Sequence, residues 1–235
     1  MARRSKKRKI SLWTIYILII CLIGYYTQKE LDNTYSKAPY MIENIPEYQG
    51  QEYVYINNNI PNFTEEDLTT TSFEKYSNLD YLGRCQVAIA NIGIDLMPTE
   101  ERGSIGMIKP SGWHTIKYDI ISGKYLYNRC HLIGYQLTGE NANEKNLITC
   151  TRQMNTNVMV EFENKVAEYI KKTHNHVLYR STPMYKDDNL VASGVELEAL
   201  SVEDNGKGIK FNVYIYNVQD GIEIDYKNGD SHLIE

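Results

Sequence analysis

Cysteine is scarce in this chain: four residues among 235, at scattered spacings and with no C-x-x-C pair. That excludes a small disulfide-built scaffold and the common zinc patterns. Histidine is nearly as sparse, with five residues, so few side chains can act as bases near neutral pH. No internal repeat is visible, which removes solenoids and propellers. An excess of positive charge is also missing. The net charge is −5, and six of the 25 basic residues crowd into residues 1–9, leaving 19 basic against 30 acidic side chains, a net of −11, for the rest. Binding to a polyanion must therefore come from a local site, because the global field opposes it. What is present, 42% apolar and 11% aromatic residues, suffices for a packed core and excludes a disordered tail protein.

Acid is absent from residues 1–9, and charge of either sign is absent from residues 10–26, ISLWTIYILIICLIGYY. Seventeen helical residues cover about 26 Å, enough for a thin hydrocarbon layer with Trp13 and Tyr26 near its interfaces. The cations stay in the cytoplasm on this reading, which places residues 27–235 outside the membrane. A cleaved signal peptide is the alternative, but no small-x-small site follows the apolar run, so the expectation is an uncleaved anchor. Bulky Ile20 before Cys21 favours a membrane-buried cysteine over a lipid-attachment site. Residues 27–42 read as a stalk, 43–228 as the folded domain and 229–235 as a tail.

Within the domain, Tyr53 and Tyr55 alternate like a short strand, and Thr64 followed by Glu65, Glu66 and Asp67 resembles a helix start. The run LGRCQVAIANIG (82–93) suits a buried strand. Val158, Phe162, Val166, Tyr169 and Ile170 fall at helical spacing, predicting an amphipathic helix over 157–172. Segments 191–202 and 208–218 alternate around Glu203, Asp204, Asn205, Gly206 and Lys207, a hairpin pattern. The fold class expected is α+β with a mainly antiparallel sheet.

Only His131 sits among other polar candidates, in YNRCHLIGYQLTGENANEKNLITCTRQMN (127–155). Arg129, two residues earlier, shares its face in an extended strand. The pair suits a phosphate substrate: Arg129 binds the anion while His131 handles a proton, and the nearby cation disfavours imidazolium. The alternative is a plain strand histidine beside an exposed arginine. Asn141, Asn143, Asn146, Asn155 and Asn157 read mostly as turns and caps. Asn155, just before the predicted helix, can offer an amide oxygen to a hard divalent cation, and Glu163 lies eight residues on, about 80° around the axis. Glu163 otherwise reads as a solvated helix carboxylate.

NRCHLIGYQL with Asn146 and Asn155 resembles the DNA/RNA non-specific endonuclease family, whose usual signature is Asp-Arg-Gly-His and whose fold is ββα-metal (His-Me finger). Within it, the resemblance is to membrane-anchored DNA-entry nucleases and secreted streptodornase-like DNases of Gram-positive bacteria. It extends over residues 43–228, including PEYQGQEYVYINNN, SIGMIKPSGWHTIKYD and NGKGIKFNVYIYNVQDGIEIDY. The chain departs from the signature at Asn128 and Cys130.

The resemblance implies His131 as general base, Arg129 as a phosphate contact and Asn155 as the protein ligand of magnesium. It implies Asn146 as an asparagine that positions phosphate and base, and Glu163 as the carboxylate that orients metal-bound water. The implied activity is magnesium-dependent hydrolysis of DNA and RNA phosphodiesters with 5′-phosphate products, manganese serving as a substitute. Trp113 and His114 are candidates for the substrate groove, against a core role for the tryptophan. A disulfide is permitted among Cys85, Cys130 and Cys150, with the pair left open. A catalytically silent nucleic-acid-binding ectodomain and a wall-associated structural protein are the competing readings.

Overall fold

The computed structural model describes residue 13, residues 16–26 and residues 41–234. The chain divides into two compact units, residues 1–35 and 36–235. In the first, residues 16–26 form a helix, α1, whose large apolar side chains are exposed. Among the described residues no helix is long and apolar enough to cross a membrane. Part of the expected span (residues 10–12, 14 and 15) and most of the expected stalk lie outside the described residues.

The second unit is built on a six-stranded antiparallel sheet in the order β1-β8-β7-β6-β3-β2. Its strands are β1 (Tyr53–Tyr55), β2 (Phe73–Tyr76), β3 (Ala88–Ile92), β6 (Val177–Met184), β7 (Gly194–Ser201) and β8 (Lys210–Tyr216). A separate hairpin joins β4 (Tyr127–His131) to β5 (Leu147–Thr151), and a second pairs β9 (Ile222–Asp225) with β10 (Asp230–Leu233). The helices of this unit are α2 (Tyr135–Thr138) and α3 (Val160–Thr173).

Period-two alternation dictates the layers. On β7, Val195, Leu197 and Ala199 point to the main core, as do Phe211, Val213 and Ile215 on β8. Helix α3 lays Phe162, Val166, Ala167 and Ile170 on that face. Each Val, Leu, Ile or Phe among them contributes about 1.5–3 kcal/mol relative to exposure. The predicted helix stripe is therefore the observed one, although regular α-helix begins only at Val160. Before it, Met154–Met159 forms a π-turn in which the Val160 amide donates to the Asn155 carbonyl, five residues back.

Hairpin β4–β5 packs Cys130, Ile148 and Cys150 into the same core. Cys130 and Cys150 form a disulfide with Cα atoms 5.9 Å apart, and Cys85 is a buried free thiol. Buried Asn217 fastens β5 in place: it accepts from the Thr151 amide (2.8 Å) and donates to the Ala192 carbonyl (2.8 Å).

The structure alters several expectations. The run 82–93 becomes strand only at Ala88–Ile92, all five residues buried. The Thr64 start yields a single 3-10 turn, Glu65–Asp67, closed by the Thr64 amide donating to Asp67 Oδ2 at 2.8 Å. Three residues are too few to propagate a helix without a packed face. The expected tail contains β10, and the Tyr127 hydroxyl donates to the Gly229 carbonyl (3.0 Å), so residues beyond 228 belong to the fold. The 203–207 turn forms as expected: Asn205 and Gly206 take positive φ of 56° and 77°.

Candidate active site

Strands β4 and β5 followed by α3 bring three of the five expected site residues to one cavity of about 240 Å³. His131, Asn155 and Glu163 line it together with Arg102, Gly134 and Gln136. His131 comes from the last position of β4, Asn155 from the π-turn and Glu163 from the first turn of α3.

His131 is 6% exposed. Its Nε2 lies 2.8 Å from the Asn141 carbonyl, which can only accept, so Nε2 carries the proton and Nδ1 keeps its lone pair. Arg102 Nη2 lies 3.3 Å from Nδ1 and donates to it. Burial pulls the imidazole pKa down to about 4, the Asn141 bond opposing and the Arg102 charge reinforcing that shift. His131 is therefore neutral across the physiological range, in the tautomer that offers Nδ1 as a base.

Glu163 is 7% exposed and is not the solvated helix carboxylate of the alternative reading. Burial pushes its pKa up to about 7, with Gln136 and Arg102 opposing more weakly. Its oxygens rest against Gly134, where an added Cβ would collide with the carboxylate. Gly134 thus admits the close approach of α3 to the segment leaving β4. Asn155 lines the cavity, and its side chain is engaged in no hydrogen bond among the described residues. An amide oxygen, a carboxylate and a neutral imidazole, with no thiolate among the lining residues, form a donor set that suits a hard divalent cation.

Arg129 and Asn146 are placed differently. The Arg129 guanidinium donates to the carbonyls of Ile108 and Gly106 (2.9 Å to the latter) and stacks 3.9 Å from the Trp113 ring centroid. It does not line the cavity; the cation beside His131, whose charge adds to burial in lowering the imidazole pKa, is Arg102, 29 residues before it in sequence. Asn146 is fully buried, its Oδ1 accepting from the Ile133 amide (2.9 Å) and its Nδ2 donating to the Ile133 carbonyl (3.0 Å). With both ends of its amide on one residue's main chain, it fixes the exit from β4. Trp113 packs over Arg129 at the edge of a small apolar cluster, and His114 bonds to the Asn228 carbonyl at 3.0 Å.

Arg102 gives no signal in the sequence because it lies in an irregular stretch without periodicity, beside Glu100 and Glu101, where a lone cation reads as surface.

The sequence profile of the DNA/RNA non-specific endonuclease family matches residues 62–203. Among solved structures the chain is similar to NucA from Streptococcus agalactiae with magnesium ion bound. The identity is 26%, the TM-score 0.71, and the match covers 88% of this chain and 95% of that one. The same protein with no metal bound matches at 26% identity and a TM-score of 0.70, over 88% and 96% of the two chains. Sda1 nuclease with bound zinc ion shares the fold, with 24% identity and a TM-score of 0.63 over 83% of this chain and 100% of that one.

Proposed function

The chain belongs to the DNA/RNA non-specific endonuclease family, and from that premise we propose that it hydrolyses phosphodiester bonds of DNA and RNA with magnesium, leaving 5′-phosphates. The observation that carries this reading is His131: a buried neutral imidazole whose protonated nitrogen is fixed by the Asn141 carbonyl and whose Nδ1 lone pair accepts from Arg102. A general base needs that arrangement, because rotation or protonation of the ring would each remove the lone pair.

The residues act as follows. A substrate phosphate draws the Arg102 guanidinium away from Nδ1, since an anion is a far better acceptor than a neutral ring nitrogen. Nδ1, thus uncovered, takes a proton from the water that attacks phosphorus, while Arg102 balances charge developing on the phosphoryl oxygens. Asn155 would hold the magnesium ion through its amide oxygen, and the ion, when bound, would supply Lewis-acid stabilisation of the charge that builds up during hydrolysis. Glu163 accepts hydrogen bonds from water in the cavity and adds the negative charge that a divalent cation requires. Arg129 and Asn146 serve by position, the first clamping the 106–108 segment and the second fixing the backbone beyond His131.

Plasmid degradation by the full chain with magnesium, and again with a chelator, tests the reading. Nicking and fragmentation in magnesium are expected, with loss in the chelator; undiminished cleavage after chelation sinks the hard-metal assignment. NucA and Sda1 are named as nucleases, and two further structural relatives as an extracellular endonuclease and an extracellular nuclease. By that likeness and by the order of cations and apolar run, the enzyme works outside the cell, tethered by residues 10–26. Fractionation with membranes and digestion by external protease support the tether; a soluble protein starting near residue 27 contradicts it.

A further inference from the structure

The segment before β4 differs in charge from the rest of the second unit. From Arg102 to Tyr118 it holds three cations, Arg102, Lys109 and Lys117, and no acid, in a chain whose residues beyond 9 carry 30 acidic against 19 basic side chains. Neither these cations nor Arg129, which supports the segment, form an ion pair among the described residues. The segment starts at the candidate active site, where Arg102 donates to His131 Nδ1 (3.3 Å). It runs back along β4 to Arg129, which donates to the carbonyls of Gly106 and Ile108 (2.9 Å to the former). It supplies the local positive surface that a polyanion needs on an otherwise acidic protein.

Met107 lies at the exposed corner of this segment. The Ile108 amide donates to the Ile105 carbonyl (3.2 Å), closing a four-residue turn with Gly106 and Met107 at its centre. Ile105 and Ile108 are half-buried, whereas Met107 is 68% exposed. The carbonyls of its two neighbours are the acceptors of Arg129, and that guanidinium is backed by the Trp113 ring, 3.9 Å away. An apolar side chain thus projects into solvent from a backbone held on both sides. The two anchor points on β4, Arg129 and His131, are two strand residues apart, about 6.6 Å, which is about two base steps of a duplex at 3.4 Å each.

Resting on the nuclease reading above, we propose that the Ile105–Ile108 turn docks on double-stranded DNA beside the scissile phosphate, with Met107 entering between neighbouring base pairs and Lys109 meeting a flanking phosphate. Methionine is among the apolar side chains that proteins insert as wedges, and a wedge needs a firm backbone because unstacking a base step opposes its entry. Single strands are held instead on aromatic faces, and residues 102–112 contain no aromatic side chain. The first aromatic that follows, Trp113, has a face covered by Arg129. Met107 therefore sets a preference for duplex over single strand, while Lys109 adds a charge contact common to both.

The test compares duplex and single-stranded DNA of one sequence as substrates of the full chain. Met107→Ala should lower the ratio of duplex to single-strand kcat/KM about tenfold with the melting transition in place, and Met107→Leu should restore most of that ratio. Unstacking is read without cleavage on the His131→Ala background: a duplex carrying 2-aminopurine should brighten on binding, and adding Met107→Ala should abolish the rise. Lys109→Ala should weaken binding of both forms and reduce the salt slope by about 1. A parent chain that cleaves both forms with a ratio untouched by Met107→Ala overturns the inference and leaves the nuclease reading standing, as does a 2-aminopurine signal that survives Met107→Ala. A parent chain that cleaves neither form removes the nuclease reading and the wedge with it.

Discussion

The two faces of the sheet bury carboxylates in contrasting ways. Glu163 sits on the first turn of α3 at the edge of a cavity shared with His131, Arg102 and Asn155, whereas Glu196 is buried on the other face of the sheet beside the Arg180–Glu198 ion pair. Burial raises both pKa values, to about 7 and about 8, with the Glu198 charge adding to the second. A shifted pKa alone therefore does not separate a site of chemistry from a polar interior. The distinction lies in what else faces the group: a neutral imidazole with a fixed tautomer and an open cavity on one side, and a closed polar interior without either on the other.

Four measurements probe this contrast. The largest effect is expected for Asn155→Ala, with a rate loss of about 10³-fold at low magnesium, since metal stabilisation supplies several kcal/mol. Raising magnesium should recover part of it, seen in a metal titration of plasmid cleavage. Next, Arg102→Ala should lower kcat about 10²-fold, as removal of a transition-state donor does. Arg129→Ala should act mainly on stability, read as a shifted melting transition. If Arg129→Ala proves the more damaging to kcat in a folded protein, the assignment of the phosphate contact to Arg102 fails.

Third comes pH. His131 is already neutral well above pH 4, so it does not set the acid limb near neutrality. Glu163 becomes the active carboxylate as pH rises through about 7, and added magnesium, favouring the charged form, should move that limb to lower pH. Glu163→Gln should flatten the limb in a kcat/KM profile. The smallest effect concerns stability. A carboxyl with a folded pKa of about 8 binds its proton more tightly folded than unfolded, so its contribution is present at low pH and is lost as pH rises from the unfolded value near 4.5 through 8. At pH 8, Glu196→Gln should therefore melt above the parent, by roughly 2–4 °C for a gain of about 1 kcal/mol.

Much of this architecture is legible in the amino-acid sequence. The apolar stripe of α3 and the alternation of β7 and β8 are properties of single segments, and hydrophobic periodicity reports them. The chain segment carrying His131, Asn155 and Glu163 is short enough that one hairpin and one helix unite them. Other features depend on partners far along the chain. Arg102 reaches His131 through an irregular loop, and Arg129 finds its acceptors in that same stretch, at Gly106 and Ile108. The inward turn of Asn146 and the Cys130–Cys150 pairing depend on how β5 lies against β4, which local pattern does not encode. Glu196 looks like an outward-facing residue of an alternating strand, yet it is fully buried, on a face where the segment Asn59–Phe63 is laid over its neighbours Arg180, Glu198 and Asn212.

The central claim, that His131 Nδ1 is the base, is tested most directly by plasmid cleavage with His131→Ala, assayed with and without added imidazole across a magnesium titration. The expected result is a folded protein slowed by roughly 10²–10⁴-fold, partly restored by imidazole in the vacated space and not by magnesium. A folded His131→Ala protein that cuts at the parent rate, or that is restored by magnesium alone, would contradict it.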